Sequence, residues 1–282
     1  MIRQDNIRAA VTLSGVNFSY HHKNALAGID LTVPAGSYFG IVGPNGCGKT
    51  TLAYIISGVY KPQSGTVDTH GQRVGLVLSN PANQIVSLVV DEDIAFGPEN
   101  MGLPSYEIQA RIEKALNAIH SSHLRRALTS TLSGGQLAKV AYAGQLALDV
   151  DVLVLDEGTV MLDPLDREAI LKTIRELNAD MGKTIIHISH RLEDLQSATT
   201  VLVMEDGAIT MSADSALTLA GMLAEGSTPG IEAGPELVYK RFLAANHIET
   251  DDLQKATMKL AEKLKERVSS TGNIVHSDNN HK

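Results

Sequence analysis

The run Gly43-Pro44-Asn45-Gly46-Cys47-Gly48-Lys49-Thr50-Thr51 has the spacing G-x-x-x-x-G-K-[ST], which wraps the phosphate chain of a nucleotide. Gly43, Gly46 and Gly48 let the backbone turn tightly and aim its N–H groups inward. The Lys49 ammonium supplies a point charge for the β- and γ-phosphate oxygens, and the Thr50 hydroxyl is a hard oxygen ligand for Mg²⁺. Every position of this run is a candidate for nucleotide contact. Cys47 is the only cysteine; a helix N-terminus and the neighbouring Lys49 are expected to favour its thiolate and make it reactive. Farther along, the apolar run Val150 to Leu155 ends in Asp156 and Glu157. Asp156 is placed to hold Mg²⁺ through water, and Glu157 to accept a proton from an attacking water. Between these two groups lies Leu132-Ser133-Gly134-Gly135-Gln136, and beyond them Ser189-His190.

Chemistry of this kind needs elements that point the residues at one place. Tyr38 to Val42 is a short apolar, β-rich run before the loop, and Thr51 to Ile56 has a helical pattern after it, its positive N-terminal end facing the phosphates. The strand at 150–155 is apolar enough to lie inside a parallel sheet, and carboxylates at its C-terminal end sit where α/β folds place ligands. Further core strands are expected at 74–78, 184–189 and 201–204, the last followed by the turn Glu205-Asp206-Gly207. Residues 10–35 alternate apolar and polar, as half-buried antiparallel strands do. Ile108, Ile112, Leu116 and Ile119 share a face of a helical pattern over 104–128; Leu137 to Leu148 and Pro164 to Met181 read as further helices.

The chain has 282 residues, 43% of them hydrophobic but only 4% aromatic, so the core must be aliphatic and Ala-based. No stretch approaches the ~18–20 apolar residues that span a bilayer, and the N-terminus has no signal-peptide pattern. A chain soluble in the cytoplasm is expected, reaching the membrane only through a partner. One cysteine excludes an internal disulfide, and a net charge of −8 argues against a nucleic-acid binder.

The order of the phosphate loop, LSGGQ, the strand ending in Asp156-Glu157 and a lone histidine resembles the ATP-binding-cassette (ABC) ATPases over about residues 10–210. Asn80-Pro81-Ala82-Asn83-Gln84, Asp91-Glu92-Asp93-Ile94-Ala95-Phe96-Gly97 and Met161-Leu162-Asp163-Pro164 are similar to stretches of the ATPases of energy-coupling-factor (ECF) transporters, which take up vitamins or cobalt and nickel ions. The resemblance implies an α/β P-loop NTPase fold: a RecA-like core, an antiparallel β subdomain and a helical subdomain at about 100–148, together making a cassette over 8–212. It implies ATP and Mg²⁺ as ligands, Tyr20 (with Phe18 the next candidate) stacking on adenine, and His190 hydrogen-bonding the γ-phosphate or the attacking water. It also implies that Asp163 contacts an opposite subunit, and that Ser133, Gly134, Gly135 and Gln136 serve the nucleotide of that subunit. One phosphate loop and one LSGGQ per chain then imply a dimer, homomeric or with a related ATPase, on the cytoplasmic face of a membrane transporter subunit. A conventional ABC importer or exporter ATPase is the alternative, and a soluble ABC protein a more remote one.

Two positions depart from the family pattern. Ser79 stands where a glutamine usually senses Mg²⁺; its oxygen is a weak metal candidate with shorter reach, and Gln84 is an alternative that is expected instead on the transporter-facing surface. Gly158 stands where proline is common and is expected to relax the backbone holding Glu157. The tail changes character: 213–268 is expected to be a C-terminal helical extension with helices at 236–245 and 251–268, and 269–282 is polar and expected to be disordered.

Overall fold

The computed structural model describes residues 8–21, 23–216 and 218–219. The expected C-terminal extension and tail lie outside the described residues, apart from 213–216 and 218–219.

Two sheets carry the fold. β1 (Ala9–Tyr20) and β2 (Lys23–Pro34) alternate buried and open positions and pair antiparallel, as the sequence pattern predicts. β4 (Ser64–Asp68), which has no apolar alternation to announce it, adds to the other edge of β1 in the order β2-β1-β4. The second sheet has the order β5-β6-β7-β3-β8-β9. Its members are β3 (Tyr38–Val42), β5 (Val74–Val77), β6 (Val152–Asp156), β7 (Thr184–Ile188), β8 (Thr200–Glu205) and β9 (Ala208–Ala213). All its pairings are parallel except that of the hairpin strand β9 with β8. β3, β6 and β7 are buried at every position, which is why they read as continuous apolar runs.

Helix α1 (Lys49–Ile56) turns Leu52, Ile55 and Ile56 into a core shared with β1, β2 and the centre of the large sheet. Each such fully buried aliphatic side chain contributes about 1.5–3 kcal/mol. Three further helices, α2 (Val90–Asn100), α3 (Ser105–Ala118) and α4 (Gly134–Ala147), pack on one another, and α5 (Pro164–Ala179) follows β6. α3 is shorter than its periodicity suggested. The chain leaves the helix at His120, whose φ is +53°, and continues in 3-10 turns at 122–124 and 129–131, although Ile119 remains buried.

Register sets the site. Ile188 of β7 is paired with Ile41 of β3 on one side and with Asp156 of β6 on the other. The phosphate loop, the Asp156-Glu157 pair and Ser189-His190 therefore leave the sheet side by side at its carboxyl edge, where ligands of open α/β sheets bind.

Candidate functional site

The loop between β3 and α1 is shaped by close backbone approach. A Cβ on Gly43 would lie 2.2 Å from the Met204 carbonyl oxygen, and one on Gly48, with φ +107°, 2.2 Å from that of Ala25. Only glycine fits either place. Lys49 is buried, and its ammonium donates to the carbonyls of Gly43 at 2.8 Å and Pro44 at 3.0 Å. The lysine thus rests inside its own loop. A cleft of about 320 Å³ opens over this helix N-terminus and is lined by Tyr20, Asn45, Gly46, Lys49, Thr51 and Glu157, among others. A larger cavity of about 370 Å³ lies among α3, α4 and α5, but its lining includes no residue of the loop or of the Asp156-Glu157 pair.

Tyr20 is 42% exposed, with its ring nearly perpendicular to that of Phe18 at 5.1 Å between ring centres, and its hydroxyl accepts from Thr51 Oγ1 at 3.4 Å. Phe18 is instead stacked flat on Tyr60 at 5.3 Å and does not line the cleft, so of the two aromatic candidates Tyr20 is the one presented there.

Asp156 is only 1% exposed, and neither carboxylate oxygen has a hydrogen-bond partner. Burial raises its pKa above the usual carboxylate range. The Thr50 hydroxyl alongside pulls it down, the Glu157 charge pushes it up, and Lys49 pulls it down. A buried, partnerless carboxylate beside a threonine hydroxyl is the donor set that a hard, oxygen-seeking cation completes. The residues present therefore fit Mg²⁺, which Thr50 and Asp156 would hold.

Glu157 has φ +52°, a left-handed conformation that costs a non-glycine residue about 1–3 kcal/mol and persists only where the surroundings impose it. Its N–H donates to the Ile188 carbonyl at 3.0 Å, tying the turn to β7. Its Oε1 stands 3.7 Å from Nδ1 of His190, and both side chains remain partly open. The two candidates from separate strand ends thus come together beside the loop. Ser79 does not line the cleft. Gln84 is committed elsewhere: its Oε1 accepts from the Leu78 N–H and its Nε2 donates to the Leu76 carbonyl, each at 2.7 Å. With both amide atoms on backbone at the end of β5, it is neither a free metal ligand nor a freely presented surface side chain.

LSGGQ forms the entry to α4. Ser133 Oγ accepts from the Gln136 N–H at 3.3 Å, and Gln136 Oε1 accepts from the Ser133 N–H at 2.9 Å, a reciprocal capping box. The Ser133 hydroxyl proton is left for an outside acceptor. Ser133 and Gly134 are exposed, and none of residues 133–136 lines the cleft of this chain. Asp163 caps α5, its Oδ1 accepting from Leu165 N at 3.0 Å and Asp166 N at 2.9 Å.

Two expectations are corrected. Cys47 is 5% exposed and belongs to the hydrophobic core, and burial pushes its thiol pKa up despite Lys49, whose nitrogen lies 4.0 Å from Sγ. Desolvation outweighs the helix terminus, so the thiolate is disfavoured. Gly158 is not simply a relaxing residue: a Cβ there would lie 2.7 Å from the Tyr142 hydroxyl and 3.1 Å from Val77 Cγ1, so glycine makes room for Tyr142. Sequence reading also passed over Asp194, Thr159 and Arg167. Their polar types near the strand ends were the only signal, and pairing between such distant positions is invisible until the chain folds.

The fold is that of an ATP-binding cassette, and comparison bears this out: residues 26–160 match the ABC transporter family model. The chain is 41% identical to the energy-coupling factor transporter ATP-binding protein of Symbiobacterium thermophilum over 223 residues, 71% of this chain and 78% of that one. It is 38% identical to the cobalt import ATP-binding protein of Syntrophus aciditrophicus over 213 residues, covering 71% of this chain and 76% of that one. A solved structure, cbiO1 of Clostridium perfringens, described as part of the ABC transporter complex cbiONQ, superposes with a TM-score of 0.69 at 29% identity, over 84% of this chain and 95% of that one. The chain belongs to the ABC transporter ATP-binding family, and relatives named for energy-coupling factor and cobalt transport stand among those most similar to it.

Proposed function

We propose that this chain is the ATP-hydrolysing subunit of an ECF-type uptake transporter for a vitamin or a transition-metal ion. The observation that carries the hydrolytic reading is the meeting of Glu157 and His190 beside the Lys49 loop, with Glu157 lining the cleft. The loop amides and Lys49 hold the triphosphate, the lysine exchanging its loop carbonyls for phosphate oxygens. Tyr20 offers an open ring to the adenine. Glu157 accepts a proton from the water that attacks the γ-phosphorus in line, and His190 donates to the γ-phosphate, giving ADP and phosphate. Thr50 and Asp156 would hold Mg²⁺, which when bound would supply positive charge against the phosphates.

The exposed signature needs phosphate oxygens that its own cleft does not bring to it. Two chains facing each other, or this chain facing a related ATPase, supply them: the Ser133 hydroxyl and the amides opening α4 then close over the partner's nucleotide, with Asp163 at the seam. Among the described residues no helix is long and apolar enough to cross a membrane. Attachment to the cytoplasmic face of the membrane would therefore come through a partner. Val86, Leu88 and Leu128 support that reading. They are large apolar side chains left open on adjoining backbone, where the Thr129 N–H donates to the Leu88 carbonyl at 2.9 Å, and they suit an integral membrane subunit.

Replacing Glu157 with Gln keeps the shape and removes the base. ATP binding should persist while hydrolysis falls by ~10²-fold or more. An undiminished turnover rate would assign the proton to another group. Identification of the integral membrane protein that co-purifies with the chain tests the transport class.

A further inference from the structure

Asp194 is 4% exposed, and one carboxylate gathers donors from three separate segments. Its Oδ2 accepts from Thr159 Oγ1 at 2.9 Å and from Ser189 Oγ at 3.1 Å, and its Oδ1 is ion-paired with the Arg167 guanidinium. Thr159 belongs to the turn that follows Glu157. Ser189 immediately precedes His190, and its hydroxyl also accepts from the Arg191 N–H at 3.0 Å, so the backbone is bracketed on both sides of the histidine. Arg167 stands in the opening of α5, just past Asp163.

We propose that Asp194 is a positioning residue for ATP hydrolysis. Through Thr159 and Ser189 it fixes the separation between the turn carrying Glu157 and the turn carrying His190. The proposal rests on Glu157 acting as the base. Glu157 occupies a left-handed backbone conformation that the surroundings must impose. One restraint is its own N–H on β7; the Thr159 hydroxyl on Asp194 is the second, and it ties that same turn to the histidine loop. A carboxylate suits the task because a single group accepts from both hydroxyls while its charge is compensated by Arg167, which makes its burial tolerable. A base displaced by a fraction of its water's width loses most of its effect, although nucleotide still binds to a loop that Asp194 does not touch.

The test uses the full chain, with ATPase kinetics, ATP affinity and melting temperature measured together. Asp194→Asn is expected to lower kcat about 10- to 100-fold with ATP KM changed by less than about threefold. In the Glu157→Gln background, adding Asp194→Asn should change the residual rate by less than about twofold, because a residue acting through the base has nothing left to position. Ser189→Ala and Thr159→Ala keep the Asp194–Arg167 pair and each should lower kcat about 3- to 10-fold; they serve if Asp194→Asn does not fold. A folded Asp194→Asn with unchanged kcat overturns the proposal. So does a loss of kcat that ATP affinity and melting temperature follow in step, or the same loss repeated in full without Glu157. Wild-type rates in both hydroxyl variants overturn it as well. Normal turnover by Glu157→Gln alone would instead remove the base on which the proposal rests, an outcome visible separately from the behaviour of Asp194.

Discussion

Two helices of this chain are entered through glycines, and they are built in opposite ways. The N-terminus of α1 is enclosed: Gly48 is pressed against the Ala25 carbonyl, Lys49 is buried, and the loop wraps a cleft of its own. The N-terminus of α4 is open: Ser133 and Gly134 are exposed and do not line that cleft, and the turn is held by its own capping box. Both present unpaired backbone N–H groups and a positive dipole end, the elements of an anion site. Their difference is one of enclosure. A helix end wrapped by its own loop is shaped for a ligand held by the same chain. One that satisfies itself by capping and stays open is suited to a ligand that arrives on another surface.

The strongest way to break the comparison is to disable one terminus in each of two populations. Lys49→Ala should abolish nucleotide binding at the enclosed terminus, and Ser133→Arg should abolish hydrolysis by blocking the open one. If α4 serves a partner's nucleotide, mixing the two inactive variants regenerates one intact site per mixed dimer, and ATPase activity returns. Activity that stays at zero in mixtures shown to contain mixed dimers would mean that both termini serve one chain's nucleotide.

The asymmetry between the termini also explains what could be read from sequence. The enclosed site was legible almost residue by residue, because a tight loop demands glycine at Gly43 and Gly48 and a cation at Lys49, and such demands leave fixed spacing. The parallel strands were legible because burial on both faces makes them uniformly apolar. Features that depend on distant partners were not. β4 was missed because its side chains are mostly open, and the helix over 104–128 ended early because a left-handed turn at His120 leaves no mark in hydrophobic periodicity. The charge environment of Cys47 was misjudged for the same reason: Lys49 is adjacent in sequence, whereas the apolar residues that desolvate the thiol come from other elements.

A pH ramp sharpens the comparison from the enclosed side. His187 on β7 is paired with Gly40 of β3, the strand that feeds the phosphate loop. Its Nδ1 bonds the Tyr38 hydroxyl at 2.9 Å, and burial lowers its pKa to about 4. The unfolded chain binds the proton near pH 6.5, so the fold's stability is intact above that value and lost as pH falls toward about 4, by on the order of 3 kcal/mol. Urea midpoints should fall across this window, and His187→Gln should flatten the fall. An equal slope in the variant would place the acid sensitivity elsewhere.

Asp156 makes the next, smaller prediction. Its partnerless burial is a cost in the ligand-free chain, and Asp156→Asn removes the charge. The variant should gain on the order of 1 kcal/mol without ligand, or about 2–4 °C in melting temperature, while losing the extra stabilisation that Mg²⁺ adds to ATP. A variant that melts lower without ligand would show that the buried carboxylate is not a cost, and one that keeps the full Mg²⁺ increment would show that it is not a ligand.

The smallest single effect, that of the Tyr142 hydroxyl, tests where the two halves of the comparison touch. Tyr142 belongs to α4, the helix whose N-terminus is the open one, yet its hydroxyl lies over Gly158, next to the base of the enclosed site. That hydroxyl is buried and has no hydrogen-bond partner. Tyr142→Phe should therefore be neutral or stabilising by less than about 1 kcal/mol, since it removes a polar group that folding leaves unsatisfied. Gly158→Ala should cost about 1–3 kcal/mol by overpacking against the same hydroxyl, and should cost less when combined with Tyr142→Phe, because the atom at 2.7 Å is then gone while the ring carbon at 3.4 Å is within ordinary contact. Val77 Cγ1 at 3.1 Å stays in both backgrounds and sets the part that is not rescued. Four urea midpoints measure the coupling. An identical cost for Gly158→Ala with and without the hydroxyl would mean that Val77 alone fixes the glycine, and that the body of α4 does not constrain the turn that carries Glu157.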